Sequence, residues 1–575
     1  MDKTPEEIRS EKRIYNTFFN THTVTGIVIS TGIFVIFLAG AFALFQNNIN
    51  NWEINFKEKE LPFAALDYDR MLNEVAAKGY EMYGRNFSIQ LRENQGTHLV
   101  ISANSPVNQI SKDSLGQLSM SDSIAYAKAN ERIEYVIDTE SYELVPLSEI
   151  GDSQQRIGRL LTRLHYFQQV PVVGLYLSGF ISLFFLFAIV SGVIVHWKKI
   201  ISNFFTFRLR STIKNLWTDG HTALGILGLP YQFMYAVTGA IFGLTILVVP
   251  LVYVIFEDAN EATEIIFPEN KSYELLGVAD QSVMITPLVK QALAELPGQK
   301  FQQFQIVVKN YGDINSHLTI TSRIHTDLDF SRRAYAIFKV TNGVLVDQKR
   351  MEESSFRSSS FDYFLGLHFG NFGGLFVQLI YFVMAILTCF VIVSGVMIWL
   401  VAREKKTYTH KAKFNKNVGA IYLGACLGLF PAIAILFVTS KILPLDMEGR
   451  YQVINYVFFG FWLLYTVYAY VIKNNYKINK HALLLAGVLG LAIPISNGVM
   501  TGLWFWKSLG MGYSDSFLVD VSWLVMGVIT LLAAWKAKPV DKKQNVGVEA
   551  GIIPATAAKK ITISDPILTT NPSGN

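Results

Sequence analysis

The sequence predicts a membrane all-α fold of eight transmembrane helices, with two small external α+β modules inserted between helix pairs. Three observations carry that prediction. Hydrophobic residues make up 51% of the 575 residues and charged residues only 17%, against about 25% charged in ordinary soluble domains. Eight apolar runs are each long enough to cross a hydrocarbon layer of about 30 Å. Two long polar stretches interrupt them and carry the two-residue alternation of strands. This composition excludes a soluble enzyme and a disordered chain. A formal charge of +5 is too small to signal a nucleic-acid partner. Both cysteines, Cys389 and Cys426, sit inside apolar runs. That excludes a disulfide framework, a cysteine-ligated zinc or iron–sulfur site, and covalent haem attachment.

The apolar runs lie at roughly 24–45, 172–195, 223–253, 374–400, 418–438, 453–472, 482–503 and 518–535. The first reads as a retained anchor rather than a cleaved signal. Its leading segment mixes Glu6, Glu7 and Glu11 with basic residues, and the run exceeds the usual apolar length of about 7–15 residues. The third is over-long and carries Pro230 and Pro250, which predicts a tilt or kink. Every second connection is basic: Lys198, Lys199, Arg208, Arg210 and Lys214, then Arg403, Lys405, Lys406, Lys411, Lys413 and Lys416, then Lys473, Lys477 and Lys480, and finally Lys536, Lys538, Lys542 and Lys543. Basic connections stay inside. Both termini are therefore expected in the cytoplasm, and the polar stretches at about 46–170 and 256–365 outside the membrane. The tail, from about 540 onward, is rich in Ala, Thr, Ser and Pro and is expected to be disordered.

An internal duplication organises the chain. His22-Thr23, Gly26 and Gly40-Ala41 return as His221-Thr222, Gly225 and Gly239-Ala240, each 199 residues later. Leu164-His165 and Ser191-Gly192-Val193 return as Leu367-His368 and Ser394-Gly395-Val396, each 203 residues later. The predicted divisions are a first repeat over 1–200 with its external module at about 46–165, and a second over 201–405 with its module at about 256–365. A four-helix transmembrane extension over 406–538 and the tail over 539–575 follow. In the second module a helix is predicted near 286–295, strands at 304–308, 317–321 and 335–340, and a last strand at 344–347 after the Asn342-Gly343 turn. The first module matches in outline: a helix near 68–83 and strands at 87–92, 98–103, 134–138 and 142–146. Neither module contains a nucleophile–base set.

Five of the ten histidines lie at helix ends or on spans: His22, His165, His196, His221 and His368. A single interfacial histidine is ordinarily just a polar group at headgroup level, but four at equivalent places of a duplicated hairpin ask for more. A repeat containing two spans inserts twice in the same direction, so the copies are related by an axis along the membrane normal. His22 and His221 then share one depth, and His165 and His368 another. Residues related by such an axis can face each other as the axial ligands of one iron macrocycle, and imidazole suits iron. An iron macrocycle at each of the two depths is predicted on this reasoning. Gly26, Gly225, Gly174, Gly370, Gly373 and Gly374 could let a ring approach the backbone, although close helix packing uses glycine too. His165 and His196 are 31 residues apart, roughly 46 Å along a continuous helix, so the two levels are distinct. His196, whose counterpart is Trp399, is either an inner-site ligand, a propionate partner or an interfacial anchor. Mononuclear zinc fits less well, because no carboxylate or third histidine accompanies either pair. Arg163, Arg208 and Arg210 could neutralise propionates, while positive-inside sorting also explains the last two. His98 and His317 occupy matching His-Leu-x-Ile strands, where a place on a sheet face is expected. His325, His410 and His481 show no pattern.

At these residues the chain resembles the PepSY-associated transmembrane helix family, also described as PiuB-like iron-regulated membrane proteins. The resemblance spans about 1–405 and rests on NTHTVTGIV, LHYFQQVPVVGLYLSGF, SGVIVHWKKIISNFFTFR, DGHTALGILGLPYQFMYAVTGAIFG, and LHFGNFGG with its SGV ending. It implies paired PepSY modules in the periplasm, outside the inner membrane of a Gram-negative bacterium. It also implies two b-type haems on membrane histidines, carried here by His22, His165, His221 and His368, with His196 less firmly placed. In members similar to FoxB-type ferrisiderophore reductases it implies electron delivery to a periplasmic iron–siderophore acceptor. The chain departs from that pattern in its four additional spans and in lacking the flavin-binding reductase domain of some relatives. The electron donor is therefore expected to be a separate, unidentified cytoplasmic or quinol donor. Two further readings stay open. One is a permease for siderophores, haem or metal; no charged residue is evident in the middle of a span, whereas ion pathways usually need one. The other is a non-catalytic regulator whose modules bind a peptide or a protease.

Overall fold

The computed structural model describes residues 4–57, 63–79, 82–92, 98–104, 133–138, 141–146, 155–205, 208, 213–245, 267–281, 284–294, 301–324, 332–349, 356–403 and 412–539. The predicted disordered tail, His325, His410, Pro250 and Arg210 lie outside them.

The chain is mostly helical. Helix α1 (Pro5–Ala43) starts on a capping box, in which the Thr4 side chain accepts from the Glu7 amide and Glu7 reaches back to Thr4. A short helix α2 (Gln46–Ile54) follows, then α3 (Tyr68–Ala77) and strands β1 (Asn86–Arg92), β2 (His98–Asn104), β3 (Ile133–Asp138) and β4 (Leu144–Pro146). Helices α4 (Ile157–His165) and α5 (Val173–His196) complete the first repeat. The second contributes α6 (Ile213–Leu227), α7 (Leu229–Gly243), α8 (Ile285–Ala294), β5 (Phe301–Lys309), β6 (His317–Ile324), β7 (Arg332–Lys339), β8 (Leu345–Lys349), α9 (Phe356–Phe369) and α10 (Gly374–Arg403). The last unit contains α11 (Ala412–Ile442), α12 (Arg450–Ile472), α13 (Asn475–Thr501) and α14 (Ser514–Lys536).

Seven of these helices are long and apolar enough to span a membrane, and α6 with α7 makes up an eighth as a pair bent by 70°. Over its described residues, the span expected at 223–253 is therefore broken, in line with the kink expected there. Its break falls at Gly228, and Pro230, at the start of α7, has no amide to continue the α6 ladder. The stretch from His165 to His196 is not one helix either. It turns at 166–172, where Phe167 and Val172 take positive φ angles of 56° and 63°.

The two external modules, expected as separate units, share one sheet. Its eight strands run β4-β3-β2-β1-β5-β6-β7-β8. The seam is the antiparallel pair β1–β5, in which Ile89 lies opposite Ile306 and Ser88 opposite Val307. Equivalent strands pairing antiparallel satisfy a two-fold relation, so the duplication that sets the helices also sets the sheet. Both module helices cover one sheet face: Met71, Leu72, Val75, Leu288 and Val289 pack on Phe87, Ile89, Phe304, Ile306 and Val308. They also cap each other. The Asp69 carboxylate accepts from the amides of Ile285 and Thr286 at 2.7 and 2.8 Å, and the Thr286 hydroxyl accepts from the amide of Tyr68 at 2.9 Å. Two separate four-stranded modules would each leave an edge unpaired, and pairing β1 with β5 removes two edges at once.

Candidate functional site

The four repeated histidines come together as two pairs. His22 of α1 and His221 of α6 have ring centres 6.1 Å apart. His165 at the end of α4 and His368 near the end of α9 have ring centres 6.0 Å apart. The second pair lies on the side of the sheet, and the first lies on the far side. His165 bonds to the carbonyl of Ile36, 14 residues along α1 from His22, which separates the levels by about 21 Å.

Each imidazole is oriented through Nδ1. His22 Nδ1 lies 2.8 Å from the Ala188 carbonyl on α5, and His221 Nδ1 lies 2.9 Å from the Val391 carbonyl on α10. His165 Nδ1 lies 2.8 Å from the Ile36 carbonyl. A carbonyl can only accept, so in these three rings Nδ1 carries the proton and Nε2 keeps its lone pair. His368 reaches the same state through a hydroxyl. Thr238 Oγ1 donates to the Met234 carbonyl at 2.8 Å, which leaves its oxygen to accept from His368 Nδ1 at 2.8 Å. Four rings with Nδ1 occupied present four Nε2 atoms as ligands.

The repeated Ser-Gly pairs are seats for the far-side rings. A Cβ at Gly192 would stand 3.0 Å from His22, and one at Gly395 would stand 3.1 Å from His221. Gly40 backs His165 in the same way, at 2.7 Å. Gly26 and Gly225, one turn beyond His22 and His221, face open space or only a distant methyl at 3.9 Å. The other glycines expected to admit a ring do other work: Gly174 packs on the backbone of Phe167, Gly373 meets Val377, and Gly370 and Gly374 take positive φ in the turn before α10.

An aromatic cluster packs beside the sheet-side pair. Phe37 stacks edgewise on Phe185 at 5.5 Å and tilts against Tyr231 and Tyr235 at 6.2 and 6.0 Å, and Tyr235 contacts His368 at 4.9 Å. His196 ends α5 close enough to His22 and His221 to interact with both electrostatically. The Arg208 guanidinium forks onto Asp219 at 2.8 and 2.9 Å. Arg163 sits in α4, two residues before His165. His317 lies in the sheet, stacked on Tyr273 at 3.7 Å with Nδ1 on the Asn315 carbonyl, and burial lowers its pKa. His481 pairs with the Tyr468 hydroxyl.

These distances suit a bis-imidazole macrocycle. A metal midway between two rings 6 Å apart lies about 3 Å from each ring centre, close to a metal–nitrogen bond of about 2 Å plus the remaining distance into the ring. Among the described residues no group of three or more His, Cys, Asp or Glu could hold a metal ion. Two imidazoles alone leave four coordination positions for a macrocycle to fill. Sequence reasoning missed Thr238 and Tyr235, which bracket His368. The signal was a departure from the repeat, since the positions 199 residues earlier are Ala39 and Ile36.

The comparisons agree with this architecture. A family profile described as the PepSY-associated TM region matches residues 19–402, and the chain belongs to that family. Among relatives, it is 21% identical over 398 residues to the uncharacterized protein PA4219 of Pseudomonas aeruginosa, covering 65% of this chain and 94% of that protein.

Proposed function

We propose that the chain is an inner-membrane electron-transfer protein holding two b-type haems, one between His22 and His221 and one between His165 and His368. We propose further that it reduces an acceptor on the sheet side. In this reading the termini are cytoplasmic and the sheet is periplasmic, and the basic connections on the far side support that orientation. Haem held at each level supplies reversible one-electron chemistry, and the protein sets its placement and potential. The chain's own residues do the rest. The backbone carbonyls and Thr238 fix each imidazole tautomer, Gly192 and Gly395 let two rings pack against helix backbones, and the aromatic cluster around Tyr235 packs against the sheet-side ring of His368.

The proposed acceptor is ferric iron in a siderophore. One electron converts Fe(III) to Fe(II), a poorer partner for hard oxygen ligands, and the iron is released. The electron comes from an unidentified cytoplasmic or quinol donor. The observation that carries the proposal is the recurrence of one geometry at two depths, with ring centres 6.1 and 6.0 Å apart. A dithionite-minus-oxidised difference spectrum of the purified protein tests it, with two haems per chain expected. A spectrum without a b-type band overturns it.

A further inference from the structure

We propose that the C-terminal four-helix unit is a positioning clamp on the sheet-side ligand His165, exerted through Arg450 and Glu53. The proposal rests on the haem reading above, because it assigns a role to the helix that presents one of those ligands. Helix α4 begins at Ile157 without a cap from its own preceding residue, Arg156. The missing acceptor comes from α2: Glu53 Oε2 accepts from the Ile157 amide at 2.9 Å. A carboxylate suits that end, where unsatisfied amides and the helix dipole are both positive. Eight residues later the same helix ends at His165, so the anchored end and the ligand belong to one rigid element.

Glu53 is itself held by the C-terminal unit. Its other oxygen pairs with Arg450 Nη1 at 2.6 Å, with the two side chains 0% and 6% exposed. Arg450 is the first residue of α12 and also donates to the Ser440 carbonyl. Lys441 closes the same C-terminal end of α2, donating to the carbonyls of Trp52 and Glu53 and to Asn55 Oδ1. Asp520 of α14 takes the Trp52 indole N–H on one oxygen and the Asn497 amide on the other, both at 2.8 Å.

This cluster is a buried charged network, and its chemistry decides what it is for. The three protons of Lys441 have three acceptors, and each oxygen of Asp520 has a donor. Such a saturated network holds elements together rather than receiving a ligand. Gly158 of α4 sits so close to Gln46 and Asn50 that a Cβ there would fall 2.5 Å from their oxygens, so α2 and α4 move together. The clamp reaches one ligand of the pair: α9, which carries His368, packs instead against β7 and α7.

The experiment uses the full chain in two states. The double variant Glu53→Leu with Arg450→Met removes cap and counter-charge together, so that neither is left buried without the other, and Arg450→Lys keeps the charge while losing the guanidinium's simultaneous bonds to Glu53 and the Ser440 carbonyl. In haem-free protein, amide exchange over 157–165 is expected to rise at least tenfold in the double variant, less in Arg450→Lys, and not at all over 356–369. In haem-loaded protein, the low-spin ferric signal that His165→Ala abolishes is expected to change its g values and midpoint potential, with the other signal unmoved. Unchanged exchange over 157–165, or two signals that move together or not at all, overturns the clamp. Haem-free wild type overturns the functional reading instead, and the exchange measurement still decides the clamp.

Discussion

The two histidine levels began as copies of one arrangement and have diverged unequally. On the far side the symmetry is nearly intact. His22 and His221 rest on equivalent glycines, Gly192 and Gly395, and bond to equivalent carbonyls, Ala188 and Val391, which are 203 residues apart like the glycines. On the sheet side the two histidines differ in everything but their spacing. His165 leans on Gly40 and a backbone carbonyl, at the end of a helix capped by Glu53. His368 bonds to the Thr238 hydroxyl, and its own carbonyl accepts from the Tyr235 hydroxyl at 2.7 Å. Duplication alone yields matched histidines. A hydroxyl acceptor and a clamped helix set one level apart from the other, and under the proposed function that difference would give the two sites different potentials.

Removing a ligand should have the largest effect on this contrast. His22→Ala and His165→Ala are each expected to lower the haem content from two per chain to one, with loss of transfer to an external acceptor, as read by haem-to-protein ratio and stopped-flow reoxidation. If either variant keeps both haems, that pair is not a ligand pair.

Filling a seat should come next. Gly192→Val or Gly395→Val puts methyl groups within the 3.0–3.1 Å now left to an imidazole, and weakening of the far-side haem by a factor of at least about ten is expected, with the sheet-side haem retained. An equal loss at both levels in a haem titration would show that the seats are merely structural.

Thr238→Val should act on the sheet side alone. It keeps the shape but leaves His368 Nδ1–H buried without its acceptor, which costs about 1–3 kcal/mol. Haem affinity there should fall by about 10–100-fold and one of the two midpoint potentials should shift, whereas Thr238→Ser should restore both. Tyr235→Phe should have the smallest effect. It removes one hydrogen bond to a backbone carbonyl, worth about 1 kcal/mol, and a shift of a few degrees in the unfolding midpoint is expected with both potentials unchanged.

Much of this was legible beforehand, and the reasons are specific. Apolar runs announce spans because lipid offers no partner for an unpaired backbone. The alternation in 304–308 and 317–321 announces strands because side chains on a strand point to opposite faces. The histidine pairs were legible because a repeat carries its symmetry with it. Other features were hidden. No local pattern says that β1 will pair with β5 rather than stand as an edge. The kink expected near Pro230 is there, but that it amounts to a 70° break was not legible. Glu53 and Arg450, almost four hundred residues apart, gave no sign of meeting. Asp520, inside an apolar run, was the one available hint, since a charge is kept at such a place only when it is paired.

What the sequence determined by itself is therefore everything set by local composition and by internal repetition: a multi-spanning membrane chain, two sheet-forming segments, and four imidazoles at two depths. What only the tertiary structure decided is which groups face those imidazoles. Nδ1 partners, glycine seats and the Glu53–Arg450 contact all join residues distant in the chain, and the choice among such contacts is made by the packing of whole helices, where the energies of many small interactions are summed at once.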